Sequence, residues 1–130
     1  MILDSSAVVA MLIGEAGYRR LVDAMEGSPV AAIGAPTLVE VDIVMRGRFG
    51  LSGAGLVAQF VAQNTVVVVP FDSEHRNVSA EAFTRYGKGR HPAALNYGDC
   101  MTYATAHLAD RPLLFTGKDF LKTDLASALG

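Results

Sequence analysis

Four consecutive valines at 66–69, closed by Pro70, narrow the fold more than any other stretch of this sequence. β-Branched side chains crowd a helix and suit a pleated strand, and proline cannot extend the ladder. The run therefore predicts a short strand with a defined end. No polar residue alternates along it, which predicts burial on both faces, as inside a parallel sheet. A parallel sheet needs crossover helices, and the sequence provides them. Short apolar runs also stand at 2–3, 30–33 and 112–115, with segments of helical periodicity between the four. This alternation predicts an α/β fold, with a central parallel sheet of four or five short strands flanked by helices.

The helical segments carry recognisable ends. Asp4-Ser5-Ser6 stops the first strand and can start a helix over 7–12, which ends near Gly14. Tyr18, Leu21, Val22 and Met25 form a stripe at spacings of three and four, closed by Gly27. Ala35-Pro36 opens a third helix and Arg46-Gly47-Arg48-Phe49-Gly50 ends it. Ser52 is placed to cap a helix through 64, and the two together predict a hairpin whose outer apolar surface is an oligomer contact. Asp72-Ser73-Glu74 caps another helix to about 86, with Val78, Ala82 and Phe83 inward, and Asn96 caps the helix over 96–109.

With 130 residues, 51% hydrophobic and 18% charged, the chain is expected to form a single domain over 1–130 with a real core. Eleven basic and thirteen acidic residues leave a formal charge of −2, so any nucleic-acid contact must come from a local patch. The lone Cys100 excludes an intrachain disulfide and is expected to be a buried, inert thiol. No basic leader or bilayer-length apolar run is visible, and a cytoplasmic protein with no membrane contact is expected.

Four carboxylates stand at the edges of apolar elements, where an acid needs a reason. Asp4 follows the first strand, at the end where open α/β sheets build their sites. Glu40 lies within an apolar helix, where desolvation is costly unless the charge is paired or bound to a cation; a salt bridge with Arg46 is the plain alternative. Asp99 lies one turn into the helix opened by Asn96, and Asp119 follows the last strand. Capping explains Asp4, Asp99 and Asp119 one at a time; Asn96 with Asp99 has the spacing of a capping box. Taken together, the four acids suit a hard divalent cation, Mg²⁺ or Mn²⁺, that keeps several waters and binds substrate phosphates. The three histidines lack ligand spacing, which disfavours a histidine-bound zinc. Just before this stretch, Gly87-Lys88-Gly89-Arg90-His91-Pro92 forms a basic break. It is either a solvated loop or one that contacts phosphate through Lys88 and Arg90.

Asp4-Ser5-Ser6-Ala7 after a first strand, Glu40 on the third helix, Tyr97-Gly98-Asp99-Cys100 and Thr116-Gly117-Lys118-Asp119-Phe120 together resemble the PIN-domain ribonucleases. More narrowly, they resemble the VapC toxins of type II toxin–antitoxin modules. The similarity spans essentially the whole chain. It implies a PIN-like three-layer fold and Mg²⁺-dependent endoribonuclease activity on tRNA, rRNA or mRNA. It also implies a homodimer and a VapB-like antitoxin that blocks the site. By that resemblance Asp4 and Asp99 are metal ligands, and Glu40 and Asp119 complete the acidic pocket directly or through water. Ser6 and Thr116 orient carboxylates and waters. Ser5 stands where threonine is frequent, which keeps the hydroxyl.

Two other classes compete. A phosphoacceptor receiver domain has this length and alternation, with Asp72 and Lys118 after strands, but it wants paired acids after the first strand and leaves Glu40 and Asp99 idle. A PIN-like module that only binds would keep the fold without the chemistry.

Overall fold

Successive residues of a strand point to opposite faces, so a two-residue strand contributes one side chain to each side of a sheet. In the computed structural model, which describes residues 1–130, β1 (Ile2–Leu3) does this at the centre of a four-stranded parallel sheet. Its neighbours are β2 (Ala32–Gly34) and β4 (Leu113–Leu114), and β3 (Val67–Val69) lies outside β2. The order is β3-β2-β1-β4, with Ile2 opposite both Ala32 and Leu113 and Leu3 opposite Leu114. That register sends Leu3, Ile33 and Leu114 into one core and Ile2, Ala32 and Leu113 into another, on the opposite face. An isolated parallel bridge from Leu113 to Ser127 is all that exists of a fifth strand.

The first core is closed by α1 (Ser5–Ile13), α2 (Tyr18–Glu26), α3 (Ala35–Phe49) and α4 (Leu51–Gln63), which contribute Val8, Leu21, Val41 and Val57. The second is closed by α5 (Ser73–Tyr86) and α6 (Tyr97–Ala109), through Ala82, Tyr86, Tyr103 and Ala106. Helices thus cover both faces of the sheet.

Several expectations are corrected. The valine run is not buried on both faces: β3 is an edge strand, with Val67 50% and Val68 42% exposed. Four valines mark a strand, but strand order decides whether that strand is central. Ser52 is not a cap. It lies inside α4, and Gly50, at φ +62°, forms the joint between α3 and α4 with no side-chain capping bond. The hairpin is tight because a Cβ on Gly53 would stand 2.1 Å from the Met45 carbonyl oxygen. Phe83 on α5, expected to pack inward, is 41% exposed; Val39 and Ile43 on α3 and Tyr97 at the start of α6 are largely exposed as well.

Candidate active site

Strands 1 to 3 grow the sheet outward on one side, and β4 is then added on the other side of β1. The carboxyl ends of β1 and β4 therefore form a crevice of the kind where open α/β sheets bind ligands. Asp4 leaves β1 at that point, anchored by its own amide, which donates to the Leu114 carbonyl at 2.9 Å. Only 4% of Asp4 is exposed. Its Oδ2 accepts the Ser6 amide at 3.1 Å and the Ser6 hydroxyl, which caps α1. Its Oδ1 accepts nothing from the protein. The Ser6 hydroxyl also accepts the Thr116 amide at 3.1 Å, so one side chain ties the end of β1 to the end of β4. Thr116 acts here through its backbone amide, while its exposed hydroxyl makes no bond to the acids.

Asp99 caps its helix and still keeps one carboxylate oxygen free. Its amide donates to Asn96 Oδ1 at 2.9 Å, and its Oδ2 accepts the Asn96 amide at 3.1 Å, a complete capping box. As in Asp4, one oxygen is engaged and the other is left unclaimed. Burial raises the Asp99 carboxyl from 3.8 to about 6. The amide of Asn96 works against that rise, and the negative charges of Asp4, Asp119 and Glu40 add to it. All three other acids thus act electrostatically on Asp99.

Glu40 projects half-buried from the second turn of α3, and it forms no ion pair with Arg46 or any other base. A Cβ on Gly98 would come within 2.9 Å of Glu40 Oε2, so the glycine before Asp99 leaves the room this carboxylate occupies. The composition of the α6 start gives no hint of that role for Gly98. Asp119 is exposed at the head of a single 3₁₀ turn (Phe120–Lys122), where its side chain makes no capping bond.

No three carboxylate, imidazole or thiol groups form a ready-made cage for an ion. A calcium or structural zinc site is therefore a poor fit. A cation that keeps most of its waters and takes one or two carboxylates fits the free oxygens of Asp4 and Asp99.

Lys88 and Arg90 are exposed on the turn that carries the chain from α5 to Asn96. The Lys88 amide donates to the Leu95 carbonyl at 3.0 Å, and Arg90 lies 5.7 Å from the centre of the Phe83 ring. Neither is paired with an acid. Asp72, the acid a receiver domain would need, is an exposed cap on α5 that accepts the Glu74 and His75 amides. Cys100 is buried and its thiol is pushed up to about 11, chiefly by desolvation and then by Asp99, so it is no nucleophile at neutral pH. No helix is long and apolar enough to cross a membrane.

The sequence model of the PIN domain matches residues 1–125. Ribonuclease VapC36 of Mycobacterium tuberculosis is 46% identical over 126 residues, covering 96% of this chain and 91% of its own. Among solved structures, Mycobacterium tuberculosis VapC20, described as a sarcin–ricin loop cleaving toxin, superposes with a TM-score of 0.78 at 16% identity. That match covers 96% of this chain and 95% of the other. A chain of a toxin–antitoxin complex from Klebsiella pneumoniae gives a TM-score of 0.71 at 19% identity, covering 95% and 92%. These two structural matches carry the fold alone, whereas the sequence matches carry the lineage: the chain belongs to the PIN-domain family, among the VapC ribonucleases.

Proposed function

We propose that this protein is the toxin of a toxin–antitoxin module, an endoribonuclease that hydrolyses RNA phosphodiester bonds with Mg²⁺, for which Mn²⁺ can substitute. The observation that carries the reading is the Asp99 carboxylate, which feels the negative charges of Asp4, Glu40 and Asp119 from three other parts of the chain, while Asp4 and Asp99 each keep one oxygen free. The ribonuclease relatives support the reaction class.

Asp4 and Asp99 would hold the cation through their unclaimed oxygens, with Glu40 and Asp119 joining directly or through water. When bound, the ion supplies charge stabilisation at the phosphoryl centre and acidifies water. Ser6 keeps the Asp4 carboxylate in one orientation by donating to its Oδ2, and the Thr116 amide keeps Ser6 in place. Glu40, without a base of its own, is available to take a proton from an attacking water. Lys88 and Arg90 hold the RNA backbone beside the acids, supplying the local positive charge that the net charge of −2 does not. A VapB-like antitoxin blocks the site, a reading supported by the toxin–antitoxin complex of similar fold. Two copies of the chain form a homodimer, and the protein acts in the cytoplasm.

The test is cleavage of total cellular RNA by purified, antitoxin-free protein, with Mg²⁺ or with excess EDTA, beside Asp4→Asn. Discrete cuts that require both metal and Asp4 are expected. Absence of cleavage by folded protein across several RNAs would favour a PIN fold that only binds.

A further inference from the structure

Thr37 on α3 and Thr102 on α6 are 3% and 1% exposed, and their hydroxyls lie 3.0 Å apart. This is the one hydrogen bond in the protein between two buried side chains. A buried hydroxyl is costly unless it is paired, and valine would fill either position with nearly the same shape. Threonine in a helix commonly satisfies itself by bonding a carbonyl one turn back. Thr105 does so, donating to the Met101 carbonyl at 3.1 Å, and so does Thr84 with Ala80. Thr37 and Thr102 make no such local bond. Each depends on the other, across two helices.

Their place in the helices gives the pair its consequence. Thr37 lies one turn before Glu40, and Thr102 lies one turn after Asp99. Between those turns the Glu40 carboxylate lies on Gly98, where even a methyl group would be within 2.9 Å. At the start of α3, Gly34 approaches so closely that a Cβ would stand 2.7 Å from the Thr105 hydroxyl. Apolar packing tolerates small slides of one helix along another, whereas a hydrogen bond is directional and short-ranged.

We propose that Thr37 and Thr102 are positioning residues: their hydroxyl pair fixes the offset of α3 on α6, and thereby how Glu40 stands to Asp99 for a divalent cation. The inference rests on the metal-dependent reading above.

The experiment compares Thr37→Val, Thr102→Val, the double valine variant and Thr102→Ser. Readouts are Mn²⁺ binding to metal-free protein by electron paramagnetic resonance, thermal denaturation, and kcat and KM for RNA cleavage. Each single valine orphans one buried hydroxyl and should lower Tm by about 3–8 °C, whereas the double variant, with neither hydroxyl left unpaired, should recover most of that loss. Despite its recovered stability, the double variant should bind Mn²⁺ about threefold or more weakly, with kcat reduced and KM for RNA little changed. Thr102→Ser, which retains the hydroxyl, should keep wild-type Mn²⁺ affinity. A stable double variant with wild-type Mn²⁺ affinity would overturn the proposal. So would a double variant as unstable as the single ones, because the hydrogen bond would then not be what the hydroxyls contribute. Asp99→Asn separates this from the parent reading. Mn²⁺ binding that survives Asp99→Asn sinks the metal site itself. Binding lost in Asp99→Asn but intact in the double valine variant sinks only the positioning role.

Discussion

Replacing Asp99 by Asn removes a negative charge that the metal-free fold holds at a cost, while keeping a carbonyl oxygen that can accept the Asn96 amide in its place. The Asp99 carboxyl titrates at about 6 in the fold against 3.8 in an unfolded chain. Its folded value is raised, so the protonated form is the stabilising one. That contribution is fully present below 3.8 and is lost as pH rises through about 6. Above pH 6.5 the wild type therefore carries the whole penalty and the variant carries none. At about 1.4 kcal/mol per tenfold change in proton affinity, the ceiling is about 3 kcal/mol. Asp99 is only half-buried, and solvent screening reduces this to about 1.5 kcal/mol. Loss of an anion in the first turn of α6 takes back roughly 0.5 kcal/mol more. Metal-free Asp99→Asn should thus be about 1 kcal/mol more stable than wild type at pH 7.5, or about 3–5 °C in Tm for a domain of this size. The difference should vanish near pH 4. Differential scanning fluorimetry of EDTA-treated protein from pH 4 to 8 measures both ends of that curve. Saturating Mg²⁺ should stabilise the wild type and reverse the order, because only the wild type gains from binding. A variant less stable than wild type at pH 7.5 without metal, or a gap independent of pH, would refute the electrostatic account of the site.

Ser6→Ala removes the donor to Asp4 and leaves the Thr116 amide without its acceptor. It should cost about 1–2 kcal/mol in urea denaturation and reduce kcat more than KM. Gly53→Ala must displace the Met45 carbonyl at the hairpin joint, and a loss of about 2–4 kcal/mol is expected by thermal denaturation; an unchanged Tm would mean that the joint is loose. The Lys88→Ala/Arg90→Ala pair should lower the slope of log affinity for RNA against log salt by roughly 1 to 2. An unchanged slope removes this turn from the RNA path.

The four strands and six helices were legible chiefly from punctuation: Asp4, Pro36, Asp72 and Asn96 open helices and Gly14, Gly27 and Gly87 close them, whereas α4 opens at Gly50 with no side-chain cap. The edge position of β3 was not legible, because an apolar run records that a strand is apolar and not which neighbours it has. The four acids could be picked out because a carboxylate beside Leu3, or within the run Val39–Val41, conflicts with its surroundings. The groups that hold the acids conflict with nothing. Thr37 and Thr102 read as ordinary helix residues until their hydroxyls are found together. The Thr116 contribution is an amide, which every residue except proline possesses. Gly98 matters for the side chain it lacks.

The central position of β1 has a consequence for the timing of synthesis. Asp4 leaves the ribosome well ahead of Leu114, which holds its amide, and Asp119 follows later still. Chain synthesis proceeds at roughly 5–20 residues per second, so the first acid waits several seconds for the strand that completes its pocket. Loop closure over that separation is slow relative to local helix formation. The crevice around Asp4 is therefore completed only after the chain through Leu114 has been translated, and until then the Asp4 amide lacks the carbonyl that anchors it.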